Sequence, residues 1–265
     1  MKCRLSSWTV GMNHYLSERI KESMVLMITF KLEKELELPV NYQYVLQSAL
    51  YALVRNEKEE EKNYHDEGAL YKKRAFRLFT FGRLQGKCRV RKGRIYFRDQ
   101  ISLEVRSAFP EMLEKMSRNL EEKGMNLGRN RLDPFRIYLS DKERKEESCL
   151  IEMDSPIVAY RTLEDKQTIF YTPWDSEFYE LIKDNFRRKY FACYGVEVPE
   201  EEVPKLTLET VCEKDKIVTR YKDFYITSWR GCYLLEGKAK YLDFLYQTGL
   251  GCRNSQGFGL FRIKE

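Results

Sequence analysis

The amino-acid sequence predicts an α+β protein of two successive halves, each running strand, helix, strands, helix, strand. Three observations carry this. Runs of β-branched and apolar residues at strand length recur from residues 25–32 (VLMITFKL) to residues 258–264. Amphipathic helical stripes interrupt them at corresponding places in the two halves. A charged run, residues 141–147, divides the chain near its middle.

Residues 25–32 form the first expected strand. Pro39-Val40-Asn41 breaks the chain before a helix over 42–55, in which Val45, Leu46, Ala49, Leu50 and Leu53 share one face. Tyr44, Gln47, Ser48, Tyr51 and Arg55 fall opposite. The acidic stretch 57–61 reads as a solvated loop. Strands are expected over 75–84 and 87–97, the second bent at Lys92-Gly93, and over 101–105. Pro110 at N1 opens a helix that Gly124 ends, and 135–139 supplies the closing strand. The order is that of a ferredoxin-like βαββαβ unit.

The second half repeats it less cleanly. Residues 149–153 and 168–171 are strand-like, and Thr172-Pro173-Trp174-Asp175 opens a helix with a capping pattern and Pro at N1. Its stripe is Phe178, Leu181, Ile182, Phe186 and Tyr190, and Gly195 stops it. Strands over 206–212 and 224–235, a short helix over 238–246 and a strand over 258–264 follow. The expected organisation is an N-terminal appendage (1–23) contributed by an upstream start codon, then two tandem ferredoxin-like domains, 24–145 and 146–265.

Composition narrows the class. Of 265 residues, 43% are apolar and 33% charged, which is a soluble globular balance. The net charge of +6, from 47 basic and 41 acidic residues, is modest, so its distribution matters more than its size. The 7 cysteines are spread without a Cys-x-x-Cys pair, which argues against a disulfide framework or zinc site and for reduced, intracellular thiols. No run approaches the roughly 18 apolar residues of a membrane span, and residues 1–23 lack an apolar signal core. A cytoplasmic protein without membrane contact, metal or cofactor is expected.

The C-terminal segment concentrates glycine: Gly249, Gly251, Gly257 and Gly259 surround Arg253-Asn254-Ser255. Such spacing allows positive φ and leaves amides able to face an anion. A helix C-cap followed by a bulged last strand explains it equally well. The order helix, loop, strand is opposite to a dinucleotide loop, and no Gly-Lys-Ser/Thr follows for a Walker loop. Residues 256–263 look like the aromatic submotif of an RNA-recognition domain, but that motif lies on an interior strand, whereas this one is terminal.

The whole segment resembles the glycine-rich signature of CRISPR-associated endoribonucleases that cut precursor CRISPR RNA within its repeats. These are members of the RAMP superfamily, built of tandem ferredoxin-like domains. Residues 41–51 (NYQYVLQSALY), the Ser155-Pro156-Ile157 turn and residues 178–184 (FYELIKD) resemble the family's N-terminal helix, mid-chain turn and second-domain helix. The resemblance runs from about Val25 onward.

It implies where catalysis resides. The chain has 2 histidines, and imidazole is suited to proton transfer at neutral pH. His14 lies in the appendage. His65, in a loop between the first helix and the second strand, would be a bystander on sequence grounds alone, but the family places its catalytic histidine at this point. Tyr51 matches the family's catalytic-site tyrosine; packing under a loop or against the second half is the bland alternative. The third member is a cation, with Lys72, Lys73 and Arg77 as candidates and Lys73 preferred.

The charge map fits an RNA path. Between Glu67 and Asp99 there is no acid, while Arg77, Arg83, Lys87, Arg89 and Arg91 stand among many bases. Arg89 and Arg91 alternate with Cys88 and Val90 and so share a strand face. Arg187-Arg188-Lys189 is less informative, being offset by Glu180 and Asp184. The expected function is metal-independent cleavage of CRISPR repeat RNA by 2′-hydroxyl attack, with Tyr51, His65 and Lys73 at the chemistry. RNA contacts are expected from Arg77, Arg83, Lys87, Arg89 and Arg91 and from Gly249, Gly251, Arg253, Asn254, Ser255, Gly257 and Gly259. The alternative is a non-cleaving repeat-RNA-binding subunit, partnered by other CRISPR effector subunits; either a monomer or a homodimer fits.

Overall fold

The computed structural model describes residues 24–55, 69–71, 74–141 and 145–264. The expectations placed on 1–23, His14, His65, Lys72 and Lys73 lie outside the described residues.

The first half contains β1 (Met24–Lys31), β2 (Leu36–Pro39), α1 (Gln43–Val54), β3 (Ala69–Tyr71), β4 (Arg74–Phe76), β5 (Phe79–Phe81), β6 (Gln85–Arg91) and β7 (Arg94–Ser107). Then come α2 (Pro110–Lys123), β8 (Met125–Leu127), β9 (Asn130–Leu132) and β10 (Arg136–Asp141). The sheet order is β10-β1-β7-β2, with β5 and β6 on the other edge of β7. Taking β1, β5, β7 and β10 as the four strands of the βαββαβ unit gives the antiparallel order 4-1-3-2 of a ferredoxin-like sheet. α1 and α2 cover one face through Leu46, Leu50, Leu53, Leu113, Met116 and Leu120, against Leu26, Ile28, Phe30, Leu103 and Val105.

Two expectations here are corrected. The single strand expected over 75–84 is interrupted: β4 and β5 flank Arg77-Leu78, because Phe76 and Leu78 leave this sheet to join the core of the second half. The bend at Lys92-Gly93 is a hairpin turn with both residues at positive φ, and the short strand over 101–105 is the continuation of β7. The hairpin β8–β9 was not expected.

The second half contains β11 (Ser148–Met153), β12 (Tyr160–Thr162), β13 (Thr168–Phe170), α3 (Ser176–Tyr194), β14 (Lys205–Thr210), β15 (Lys216–Tyr221) and β16 (Phe224–Trp229). It ends with β17 (Cys232–Glu236), α4 (Ala239–Thr248) and β18 (Phe261–Ile263). Its sheet, β14-β17-β11-β18, is again 4-1-3-2, and β12–β13 and β15–β16 are separate hairpins. The strand expected over 224–235 is two, broken at Arg230-Gly231, where Gly231 has φ 112°. Pro173 is not at N1: Asp175 is the cap residue of α3, and its carboxylate accepts from the Thr172 N–H and hydroxyl in the preceding turn. Gly195 does end α3, in the left-handed conformation.

The seam between the halves is polar and specific. Arg106 of β7, 1% exposed, donates to the Phe261 carbonyl at 2.8 Å and the Tyr246 carbonyl at 3.3 Å. Its guanidinium also lies 3.5 Å from the Tyr246 ring centroid, and Glu104 pairs with it. A charge this buried persists only when paired and hydrogen-bonded.

Candidate RNA-cleavage site

The glycine-rich segment follows α4 and is folded onto the first half. Gly249, Gly251, Gly257 and Gly259 all have positive φ, and so does Arg253, at 62°. A Cβ on Gly259 would sit 2.0 Å from the Leu250 carbonyl oxygen, and one on Gly257 would sit 2.7 Å from the Phe81 ring. At Gly251 it would meet the Val158 carbonyl oxygen at 2.6 Å. Glycine is therefore required for close packing. This corrects the expectation of anion-facing amides. The Gly249, Gly257 and Gly259 N–H groups donate to the carbonyls of Leu245, Asn254 and Pro156.

Asn254 is likewise turned inward. It is 9% exposed, and its Nδ2 donates to the Leu250 and Phe258 carbonyls at 2.9 and 3.1 Å. Its Oδ1 accepts from Lys189 Nζ at 3.2 Å, and the same ammonium donates to the Gly249 carbonyl at 2.6 Å. Asn254 staples the loop, and its side-chain amide is consumed within the fold. Burial pushes the Lys189 amine down from its usual range to about 7.

Lys189 is the residue the sequence reading missed, because it was grouped with the neighbouring bases Arg187 and Arg188. Those two pair with Asp184, and Arg187 also with Glu200. The signal was positional: Lys189 lies three residues after Phe186 and four after Asn185, on the buried face of α3 with Ile182 and Cys193.

From the first half, α1 meets this loop edge-on. Gln47 Nε2 donates to the Ser255 carbonyl at 2.8 Å, and the Tyr221 hydroxyl bonds Gln47 Oε1. Thr80 of β5 donates to the Phe258 carbonyl at 3.2 Å. Tyr51, one turn after Gln47, packs its ring edge-to-face on Phe79, with centroids 5.6 Å apart. Its phenol is hydrogen-bonded to the side chains of Ser255 and Gln47. Desolvation raises the Tyr51 pKa above the ordinary tyrosine range, only partly offset by those bonds and by Arg77. The group is a neutral hydrogen-bond donor at physiological pH.

A cavity of about 180 Å³ opens between strand segment 76–79 and the glycine-rich loop. Arg77, Tyr160, Lys189, Arg253, Asn254 and Ser255 border it. Arg253 stacks over Tyr160 and Phe224, with centroid distances of 4.7 and 5.0 Å, and Nη1 donates to Gln256. The structure thus brings together Tyr51, Arg77, Arg253 and Ser255.

The basic strand stands apart. Every residue of β6 is exposed, and Arg89 and Arg91, two residues apart on this strand, share one face of it. Acids distant in sequence also reach it: Lys87 pairs with Asp99 at 3.1 Å and Arg89 with Glu35 at 2.9 Å. Arg91 is exposed at the hairpin tip, and Arg83 lies at the seam. Among the described residues no cluster of His, Cys, Asp and Glu is arranged to hold a metal ion, and no helix is long and apolar enough to cross a membrane. No disulfide joins the described cysteines.

Residues 139–263 match the family model described as CRISPR associated protein Cas6, C-terminal. The chain is 25% identical over 241 residues to the CRISPR-associated endoribonuclease Cas6 of Pyrococcus furiosus, covering 88% of this chain and 86% of the relative. It is 28% identical over 251 residues to CRISPR-associated endoribonuclease Cas6 1 of Methanocaldococcus jannaschii, covering 91% and 93%. A solved structure described as CRISPR associated protein Cas6 superposes with a TM-score of 0.75 at 26% identity, covering 92% of this chain and all of the other.

Proposed function

We propose that this chain, similar to the CRISPR-associated Cas6 endoribonucleases over most of its length, is one of them and cleaves precursor CRISPR RNA within the repeats, at the cleft where Tyr51 meets the glycine-rich loop. The observation that carries this is the bonding of Tyr51 and Gln47 on α1 to Ser255 of that loop. It places a neutral phenol beside Arg77 and Ser255, which both line the cavity.

The chemistry is transesterification. The ribose 2′-oxygen attacks the adjacent phosphorus as its proton passes to a base, the P–O5′ bond breaks, and the departing 5′-oxygen receives a proton. A 2′,3′-cyclic phosphate and a 5′-hydroxyl result, with no net water consumed. His65 acts as general base or acid. Tyr51, held protonated by burial, donates a hydrogen bond and does not serve as a base. A cation offsets the charge that builds on the phosphorane. Lys73 is the residue we assign from the family resemblance, and Arg77, beside Tyr51, is the alternative.

The remaining assignments are parts of the same reading. Residues 24–145 and 146–265 are the two domains. Arg77, Arg253 and Ser255 contact RNA at the cleft, while Lys87, Arg89 and Arg91 follow its backbone along β6. Gly249, Gly251, Gly257 and Gly259, with Asn254, shape the loop that receives it. Tyr51, Arg77 and Ser255 of the cleft come from one chain, which fits a monomer or a homodimer, with other CRISPR effector subunits as further partners. The protein works in the cytoplasm, where its transcript is made.

The test is labelled repeat RNA incubated with wild type and with His65→Ala. Cleavage slowed about 10²–10⁴-fold with binding retained supports the assignment. Equal rates would remove His65 from the mechanism, and binding without products from either protein would favour a non-cleaving repeat-binding subunit.

A further inference from the structure

At the seam, on the flank of the glycine-rich segment, two arginines from opposite halves converge without a counter-charge. Arg83 lies in the bend between β5 and β6, and Arg230 lies in the turn between β16 and β17. The Nε atoms of both are buried and have no hydrogen-bond partner. Among the described residues, neither guanidinium is in an ion pair. Burial and the charge of Arg230 both hold the Arg83 pKa below the usual guanidinium range. The Tyr42 hydroxyl, which accepts from the Leu84 N–H at 3.1 Å, lies within electrostatic reach of both.

Two half-buried like charges facing each other are unfavourable in the free protein, through both desolvation and repulsion. Elsewhere at this seam the chain supplies partners, as Glu104 does for Arg106. Here the described residues supply none, and an anion from outside would complete the pairing. We propose that Arg83 and Arg230 form a binding site for one phosphate of the RNA backbone, shared between the two halves.

RNA is the anion favoured because the site continues an existing path. Gly82, next to Arg83, packs against Leu260 at the end of the glycine-rich segment, with an added Cβ 3.9 Å from it. On the other side β6 begins two residues after Arg83 and carries the exposed Lys87, Arg89 and Arg91. A strand running from the cleft to the β6 hairpin passes between the two guanidiniums, whose planar forks suit a phosphate's oxygens. Two arginines from different halves would also fix the halves against each other when RNA binds. This inference rests on the proposal that the chain binds repeat RNA.

The experiment measures equilibrium binding of repeat RNA carrying a 2′-deoxyribose at the cleavage position. Wild type, Arg83→Gln, Arg230→Gln and the double variant are compared across a salt series, with melting temperatures alongside. Each single change should weaken binding roughly 10-fold or more, and the double should be little worse than either single, because one phosphate needs both. The slope of log affinity against log salt should become shallower by about one, as expected when one phosphate is no longer neutralised. Melting temperatures without RNA should stay level or rise, since repulsion is relieved. Arg83→Lys, which keeps the charge, should recover part of the affinity.

Wild-type affinity and slope in the variants, while wild type binds RNA, would overturn the phosphate site and leave the functional reading standing. Lower melting temperatures with an unchanged salt slope would mark a packing role and overturn it too. Failure of wild type itself to bind the repeat would instead sink the functional reading.

Discussion

Lys189 and Asn254, 65 residues apart in sequence, are joined by a 3.2 Å hydrogen bond inside the glycine-rich segment, and the same ammonium caps the Gly249 carbonyl at 2.6 Å. A buried cation from α3 thus fixes the loop against which α1 presents Tyr51. Replacing Lys189 by Met leaves two buried acceptors short of a donor. We expect a loss of about 1–3 kcal/mol of stability, read by denaturant unfolding, and weaker repeat binding.

The same lysine gives the fold a pH dependence with a definite sign. Its folded-state pKa, about 7, lies below the ordinary 10.5, so between these values the unfolded chain binds a proton that the folded chain has shed. Stability from this group therefore rises with pH through that window and falls as pH drops through 7. Unfolding curves at about pH 6 and about pH 9 should show a gain in wild type that Lys189→Met lacks.

Glycine positions separate into those the loop requires and one it does not. Gly259→Ala sets a Cβ 2.0 Å from a carbonyl oxygen at φ 78°, and should destabilise by more than about 1 kcal/mol. Gly82→Ala, whose Cβ would first meet a side-chain atom at 3.9 Å, should be near neutral. Thermal melting of the two variants checks the contrast.

Much of this architecture is legible in sequence. The 3.6-residue stripes locate α1 and α3, Pro110 marks the start of α2, and Gly124 and Gly195 mark the ends of α2 and α3. The breaks at Arg77-Leu78 and Arg230-Gly231 are not legible, because residues on both sides keep strand character and only tertiary packing ends the ladders. The opposite face of α1 holds Tyr51 and Gln47: the Tyr51 ring packs on Phe79 of the first core, and Gln47 is bonded to Ser255 and Tyr221 of the second half. The glycine signature locates a tightly turned segment, but its amides and Asn254 are bonded within the fold, because spacing reports backbone freedom and not which acceptors lie nearby. Lys189 and Arg106 were hidden for a related reason: a buried charge looks like a solvated one until its partners are folded against it.

Tyr51→Phe removes the hydroxyl bonded to Ser255 and Gln47 while keeping the ring on Phe79. We expect single-turnover cleavage to slow by roughly 10–100-fold, within the range of positioned hydrogen-bond donors, with repeat affinity changed less than threefold or so. Gel-resolved single-turnover kinetics at saturating protein separates the two effects.

The most direct measurement compares repeat RNA with an otherwise identical substrate carrying 2′-deoxyribose at the cleavage position, in buffer containing EDTA. Attack by the 2′-oxygen requires that the all-ribose RNA be cut, leaving 2′,3′-cyclic phosphate and 5′-hydroxyl ends, while the deoxy substrate binds and stays intact. Cleavage of the deoxy substrate at an undiminished rate would contradict it.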